Sequence, residues 1–562
     1  MRARYLAIAP RLLARVATVV GLICLLDAVW PHHWRVLSSV TPVLPSSARA
    51  TASAVIAVGG VLLLRIAAGL RKRKRLAWRI AVAACAAISV IDLARDERLV
   101  AEGVGAAVLL AALVVARGRF TAEADPHSRW FALRLAVQCF ALATGYGLLL
   151  LYLPGHVAAS ASFLARLREV VTSFAGLGGW LPIRTDHFGD VFHATLAGFG
   201  ALTAVASVVL LLRPAEPRAV LSDGDERRLR ELLRRHGAAD SLGYFALRRD
   251  KAVVWSASGK AAITYRVVLG VALASGDPIG DVEAWPGAIA AFGELVERYG
   301  WTPAVVGCSE RGAVVYRREL GLAALALGDE AILRTATFSL DGRAMRCTRQ
   351  ASTRLVRAGY AVQVCRAGQL SATELAELRS AAIAWRTDTV ERGYSMALSR
   401  LGDPADPDCV VVTARQHGVL RGMLHFVPWG ERGISLDLMR RDRASDNGLN
   451  EFMIASVMAE CRALGVDEVS LNFAVFRDAL ERGAQIGAGP VLRLWRRLLL
   501  IASRWWQIES LYRFNAKFQP EWRPRFVSYP GARDVPRVAL AALEAEAFLV
   551  RPRLARRLVG RA

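Results

Sequence analysis

Acidic residues are scarce: 49 Asp and Glu stand against 73 Lys and Arg in 562 residues, a formal charge of +24. An excess of that size points to a polyanionic partner, either lipid headgroups or nucleic acid. Charged residues make up only 22 % while hydrophobic ones reach 54 %, which excludes a disordered chain. Cysteine is sparse and unpaired. Cys24, Cys85, Cys139, Cys308, Cys347, Cys365, Cys409 and Cys461 form no C-x-x-C pair, which excludes a disulfide scaffold and reads as reduced core thiols. The nine histidines form no H-E-x-x-H, and no zinc spacing exists, so no metal is expected. No small-residue cleavage site follows the basic, then apolar, N-terminus, so it reads as an anchor and not as a removable signal.

Six apolar stretches, near 12–30, 51–70, 77–93, 99–115, 131–153 and 191–212, approach the roughly 20 residues needed to cross a bilayer. The loops after the second and fourth stretches are rich in Lys and Arg, notably the run Arg71-Lys72-Arg73-Lys74-Arg75, and so is the N-terminus. That bias predicts a multi-pass plasma-membrane protein with both termini in the cytoplasm. Between the last two stretches, Phe163, Leu164, Leu167, Val170, Val171 and Phe174 are spaced for one helical face. Either an interfacial helix or a segment covering the bundle fits this spacing.

After residue 213 the composition becomes that of a soluble α/β protein. A charged helix (223–236) precedes strand-like runs at 244–247, 252–256, 261–266 and 268–274, a Gly276-Asp277-Pro278-Ile279-Gly280 turn and a helix at 282–298. A second unit gives a helix (372–385), strands at 409–414, 420–428 and 434–439, a helix (449–464) and a strand (468–473). Helix, antiparallel meander, helix, then parallel strand is the order of a GNAT-like N-acyltransferase domain. The expected architecture is an N-terminal α-helical transmembrane bundle (1–213) followed by cytosolic α/β tandem GNAT-like acyltransferase domains (220–341 and 360–550). The connector, 342–359, carries Arg343, Arg346, Arg349, Arg354 and Arg357 with no acid. It reads as a basic helix able to contact a phosphate backbone, or as a solvated face.

The segments Gly276–Gly280, Ser435-Leu436-Asp437-Leu438-Met439-Arg440, Asn447-Gly448-Leu449-Asn450-Glu451-Phe452 and residues 510–530 together resemble the lysyl-phosphatidylglycerol synthase family, of multiple peptide resistance factor type. The likeness is strongest to the membrane and transferase portion of actinobacterial members fused to a lysyl-tRNA synthetase. The resemblance implies transfer of an aminoacyl group, lysyl first among the candidates, from aminoacyl-tRNA to phosphatidylglycerol at the inner leaflet. It also implies the charge change that confers resistance to cationic peptides. No synthetase domain follows Ala562, so a separate enzyme is expected to supply the charged tRNA; a homo-oligomer is also open. With about six spans, fewer than the long flippase-containing members, the resemblance leaves lipid flipping by this chain open.

An aminoacyl ester is already activated, so the reaction needs no cofactor. It needs an oriented hydroxyl, oxyanion stabilisation, carboxylates for a cationic amino acid and Arg or Lys for phosphates. The expected catalytic residues are Asp437 (substrate amine), Arg440 (phosphate or a supporting ion pair) and Lys517 (tRNA end or oxyanion). Because Asp437 and Arg440 are three apart, a bulge or strand end must intervene for both to face one site. Glu509, Glu451, Asn447, Gly448 and Arg525 are candidates for binding substrate, and the five connector arginines for binding tRNA. Residues 491–506, basic and Trp-rich, read as a headgroup-docking helix or as core. His417 and His425 lack a Ser or Cys–acid constellation in the sequence and read as structural. The alternatives are a CoA-dependent membrane-anchored N-acyltransferase and a non-enzymatic lipid transporter or scaffold.

Overall fold

The computed structural model describes residues 12–22, 49–93, 100–122, 126–154, 157, 160–177, 180–183, 186–212, 216–217, 219–386, 393–475 and 508–549. They form two compact units, one built from Met1–Glu216 and one from most of the remaining chain.

The first unit contains α1 (Leu12–Leu22), α2 (Arg49–Arg71), α3 (Arg75–Leu93), α4 (Val100–Val115), α5 (Pro126–Tyr152), α6 (Phe163–Phe174) and α7 (Asp186–Leu211). Two described stretches, Trp130–Tyr152 and His187–Leu211, are long and apolar enough to cross a membrane. The six expected spans are therefore matched on length and composition at two of the described helices. Small residues let α5, α6 and α7 approach closely: a Cβ at Gly147 would lie 2.8 Å from Val170, and one at Gly200 would collide with the Phe174 carbonyl. Part of the basic run is buried. Lys74 turns inward and its Nζ donates to the Leu212 carbonyl at 2.6 Å, satisfying an end of α7. On α6 the polar side faces in: Arg166, Glu169 and Ser173 are buried with Val170, while Phe163 and Leu164 are exposed. Glu169 accepts from the Trp180 and Leu181 amides.

The second unit is one 12-stranded sheet covered by helices. Its elements are α8 (Asp223–His236), β1 (Ala252–Trp255), β2 (Ala261–Val268), β3 (Val271–Ser275), β4 (Ile279–Gly280), α9 (Trp285–Tyr299), β5 (Thr302–Cys308), α10 (Glu310–Leu320), β6 (Ala323–Arg334), α11 (Arg346–Arg357), β7 (Tyr360–Arg366), α12 (Ala372–Ala384), β8 (Val410–Gln416), β9 (Val419–Trp429), β10 (Gly433–Arg441), α13 (Leu449–Glu460), β11 (Glu468–Val475), α14 (Ile508–Ala516), β12 (Glu521–Tyr529) and α15 (Val535–Ala545). Strand order is β1-β2-β3-β5-β12-β6-β11-β10-β9-β8-β7, with β4 pairing β2. Two pairs are parallel, β3–β5 and β10–β11, and each is bridged by one helix, α9 or α13. The sheet does not stop at the expected boundary between halves. β6, from the first half, pairs with β11, and β12, from the second, pairs with β5.

Two sequence readings change, and the role of one motif becomes visible. Residues 244–247, expected as a strand, form a 3-10 turn (Gly243–Leu247) with Phe245 and Leu247 buried. A short apolar run carries no periodicity that separates strand from buried turn. β7 and β12 are additions to the expected strands. β12 contains Pro524 and alternating arginines, composition that argues against the sheet centre where it lies. The Gly276–Gly280 motif is a docking device for α10: the Asp277 carboxylate accepts from the Ser309 amide (2.9 Å) and hydroxyl (2.5 Å), and Ser309 caps the helix.

At the sheet centre Arg525 of β12 donates to Glu330 of β6 (2.5 Å) and to Asp240 (2.7 Å). Ser241 and Ser470 donate to the other Glu330 oxygen, both at 2.5 Å, and Ser435 donates to the Ser241 carbonyl. Burial works against the Glu330 charge, yet Arg525 and the two hydroxyls bring its carboxyl below the ordinary value. Burial and the neighbouring Asp240 push Asp277 up to about 6. Replacing Arg525 by Met strands two buried carboxylates and is expected to cost about 3–5 kcal/mol, whereas Glu330→Gln, which keeps hydrogen bonds, costs less. Thermal midpoints of the full-length detergent-solubilised variants check the order.

Candidate active site

The parallel pairing of β10 with β11 is short. It covers Gly433–Ser435 against Glu468–Ser470 and then ends. Beyond it β10 stays paired with β9 as far as Arg441, and β11 stays paired with β6, to which it is bonded from Glu468 onward, with a register shift between Ser470 and Phe473. Asn472 sits at the parting with φ 66 and donates its side-chain amide to the Leu436 carbonyl. The two strands thus part beyond Ser435 and Ser470. On β10, at the start of α13 and on β11, Arg440 Nε, Asn450 Oδ1 and Asn472 Oδ1 are buried with no hydrogen-bond partner among the described residues.

Asp437 occupies the expected irregularity. The β9–β10 register shifts between Leu436 and Leu438, so Asp437 sits in a bulge. Its Oδ2 lies 2.7 Å from His425 Nδ1, and its Oδ1 accepts from the Leu398 amide at 2.6 Å. Both side chains are nearly closed to solvent, 1 % exposed for His425 and 5 % for Asp437. Burial opposes a charge on His425, but Asp437 and Cys409 outweigh it and lift the imidazole to about 10. The sequence reading of His425 as lacking an acid partner is corrected: Cys409, His425 and Asp437 come from three successive strands or their edges. Only the strand register brings them together, and no spacing in the sequence signals it.

Lys517 and Glu451, chosen separately from the sequence, meet at 2.7 Å. Glu451 is in the first turn of α13, and Lys517 follows α14 with its ammonium 5.8 Å from the Phe514 ring. Gly448 caps α13 in the left-handed region (φ 90), and a Cβ there would lie 2.8 Å from Ala351 of α11. That close approach lets Arg354 of α11 donate to the Asn447 carbonyl at 2.6 Å. The basic connector and the helix start at Asn447–Gly448 are therefore one assembly.

α11 buries Thr348, Ala351 and Leu355 and turns Arg346, Arg349, Arg354 and Arg357 to solvent, with Arg343 exposed in the turn just before it. Arg349 donates to the Gly342 carbonyl, and no acidic partner appears for any of the five among the described residues. The structure does not bring Arg525 to the split. Its donors are taken by Glu330, Asp240 and Ser241, so it anchors the sheet and has no guanidinium edge left for a ligand. Arg523 is held by Glu468 and Glu521. The side chain of Glu509 and residues 491–506 lie outside the described residues. His417 sits in the β8–β9 hairpin with φ 49.

Another buried cation, Lys251, lies in the first half. Lys251 donates to the Phe245 carbonyl and the Ser275 hydroxyl, each at 2.9 Å, and lies 4.7 Å from the Tyr394 ring. Burial, aided by nearby Arg248, lowers it to about 7.

Residues 230–529 match the family model described as phosphatidylglycerol lysyltransferase, C-terminal, and residues 5–212 match the transmembrane region of lysyl-tRNA synthetase. A lysylphosphatidylglycerol biosynthesis bifunctional protein LysX of Rhodococcus opacus is 46 % identical over 500 residues, 87 % of this chain and 44 % of that one. The protein of the same name from Mycobacterium tuberculosis is 44 % identical over 505 residues, covering 87 % and 43 %. The chain thus spans less than half the length of these relatives. Among solved structures, L-PGS from Bacillus licheniformis superposes with a TM-score of 0.51 at 20 % identity, covering 60 % of this chain and 100 % of that one, a likeness of fold.

His425 and Lys251 have opposite linkage to pH. The folded pKa of His425 is raised from 6.5 to about 10, so its contribution is complete below 6.5 and is lost as pH rises through 10. Lys251 falls from 10.5 to about 7, so the unfolded chain holds the extra proton and stability rises with pH between those values. The two oppose each other from pH 7 to 10. His425→Gln is expected to leave a thermal midpoint that rises with pH in that window, and Lys251→Met one that falls, each slope approaching about 1.4 kcal/mol per pH unit.

Proposed function

Because the chain belongs to the phosphatidylglycerol lysyltransferase family, we propose that it transfers an aminoacyl group, most readily lysyl, from aminoacyl-tRNA to phosphatidylglycerol at the inner face of the plasma membrane. The observation that carries this reading is the polar split between β10 and β11, with the Lys517–Glu451 pair and the bulged Asp437 nearby, joined through Arg354 to an unneutralised arginine helix. A cationic amino acid asks for carboxylates, and an RNA end asks for cations beside them. Both kinds of group are present.

The step is a transesterification. The glycerol hydroxyl oxygen bonds to the ester carbonyl carbon, and the resulting tetrahedral oxyanion collapses with loss of the tRNA ribose oxygen. The hydroxyl proton ends on that ribose oxygen. Lys517 Nζ stabilises the oxyanion, Arg440 takes a phosphate, and Asp437 and Glu451 set the amino end of the ester, with Glu509 for the side-chain ammonium. Asn447 and Gly448 offer backbone groups at the start of α13, and Arg343, Arg346, Arg349, Arg354 and Arg357 hold the tRNA backbone. The headgroup changes from anionic to cationic, which weakens attraction of cationic peptides. We take the protein as multi-pass with six spans and cytoplasmic termini, supplied by a separate synthetase and able to self-associate.

The catalytic half reads as two tandem GNAT-like domains that have exchanged their last strands. Each half runs meander, helix, parallel strand, helix, strand, and the order β5-β12-β6-β11 interleaves the ends. This reading is independent of the substrate.

Two tests apply. Membranes carrying the full chain, given lysyl-tRNA, are expected to form lysyl-phosphatidylglycerol in an RNase-sensitive manner, with Asp437→Ala and Lys517→Ala lowering the rate about 100-fold or more. Acyl transfer from acetyl-CoA without tRNA would instead support the CoA-dependent reading. Replacing Arg343, Arg346 and Arg357 by Gln is expected to raise KM for the tRNA. The same change flattens the log–log salt dependence of binding by about 0.7–0.9 for each phosphate left without its arginine.

A further inference from the structure

We infer that His425 is a positioning residue for the proposed transfer: with the 393–400 loop it fixes the Asp437 carboxylate at the edge of the β10–β11 split. The inference rests on the aminoacyl-transfer reading, in which Asp437 sets the substrate amine.

Both carboxylate oxygens are held from different directions. His425, on β9, is in register with Leu438 of β10, and the bulge brings Asp437 to the imidazole at 2.7 Å. A regular strand would alternate the faces of Asp437 and its neighbours and leave no margin for this contact. The other oxygen accepts from Leu398, in a loop with no regular structure but many tethers. Glu546 accepts from the Tyr394 and Ser395 amides at 2.7 and 3.1 Å. The Tyr394 hydroxyl donates to the Leu273 carbonyl at 2.5 Å, Arg248 donates to the Ala397 carbonyl at 3.1 Å, and Arg400 is clamped by Glu226 and the Leu247 carbonyl. The amide at Leu398 is therefore a fixed donor.

The groups facing the imidazole are Asp437 from β10 and Cys409 from the edge of β8, with Asp406 behind Cys409. This arrangement keeps His425 protonated through neutral pH. A carboxylate gripped by two donors keeps lone pairs for a third, and it need not rotate to meet an incoming amine. Apolar side chains would fill the same space with less desolvation cost, so a buried ion pair three residues from Arg440, whose Nε has no partner among the described residues, is placed for orientation.

The test uses the full chain in phosphatidylglycerol proteoliposomes with separately charged lysyl-tRNA. kcat, KM and thermal midpoint are measured for wild type, His425→Gln, Asp437→Asn and the double variant. The expected result is a kcat lowered by about 10- to 100-fold in His425→Gln with KM little changed, and no further loss when it is added to Asp437→Asn. Leu398→Pro, which removes the other donor and spares the ion pair, gives a second reading should His425→Gln not fold; it is expected to lower kcat in the same way. Folded variants that keep kcat within about threefold of wild type, or losses that multiply in the double variant, would overturn the role of His425 while leaving the transfer reading intact. A wild type that forms no aminoacyl lipid fails the transfer reading itself, and this inference with it.

Discussion

The arrangement depends on one buried guanidinium. Arg525 lies in the middle of β12 and binds a carboxylate on each side, while the hydroxyls of Ser241 and Ser470 complete the shell around Glu330. These groups come from β6, β11, β12 and the segment after α8, so a single cluster ties the exchanged strands together. Ser435 and Ser470 are also the last registered pair of β10 and β11, and the hydroxyls of both join the same network. The split opens where that network ends. Parallel strands with nothing to hold them would have to continue their ladder or leave backbone groups unmet. Here each strand keeps its outer partner, β11 with β6 and β10 with β9, so only the β10–β11 ladder ends, and the Asn472 side chain takes the Leu436 carbonyl beyond it.

From that fork the polar lining follows. Register shifts fall on both strands next to the split, in β10 at Asp437 and in β11 around Asn472. Bulges re-aim side chains, and each one here sets a polar residue beside the end of the β10–β11 ladder, Asp437 against His425 and Asn472 against the Leu436 carbonyl. The helices supply the rest: α13 brings Glu451 and α14 leads into Lys517, so the ion pair between them spans elements far apart in the chain.

Much of this could be read from the sequence, and the reasons for the remainder are specific. Meander, helix and parallel strand in the second half carry strong alternation and Gly-rich turns, so strands 8 to 11 and the helix between them fall close to where the pattern puts them. The need for a bulge between Asp437 and Arg440 follows from strand geometry alone. β12 escapes because its arginines look like a ligand-binding surface until Glu330 and Asp240, 195 and 285 residues away, are seen to face it. The partnership of His425 with Asp437 depends on register, and register leaves no mark in composition. Residues 244–247 show the opposite error, where apolar content suggests a strand and the fold makes a turn.

Arginine serves two ends in this unit, and burial separates them. Arg525, Arg400 and Arg230 are each matched by at least two carboxylates, as a guanidinium leaving water requires. The arginines of α11 have no such acids among the described residues and stay in water, paired at most with backbone carbonyls. A helix that packs one narrow apolar face and keeps four exposed arginines, with Arg343 just before it, raises the local positive potential at all pH values where proteins fold, because guanidinium does not titrate there. α11 also touches the loop that opens α13, the helix that carries Glu451, the partner of Lys517. Among the described residues of this unit, the arginines of α11 thus form an exposed set without carboxylate partners, while Arg525 in the sheet and Arg230 and Arg400 against it belong to a buried or half-buried, carboxylate-paired set.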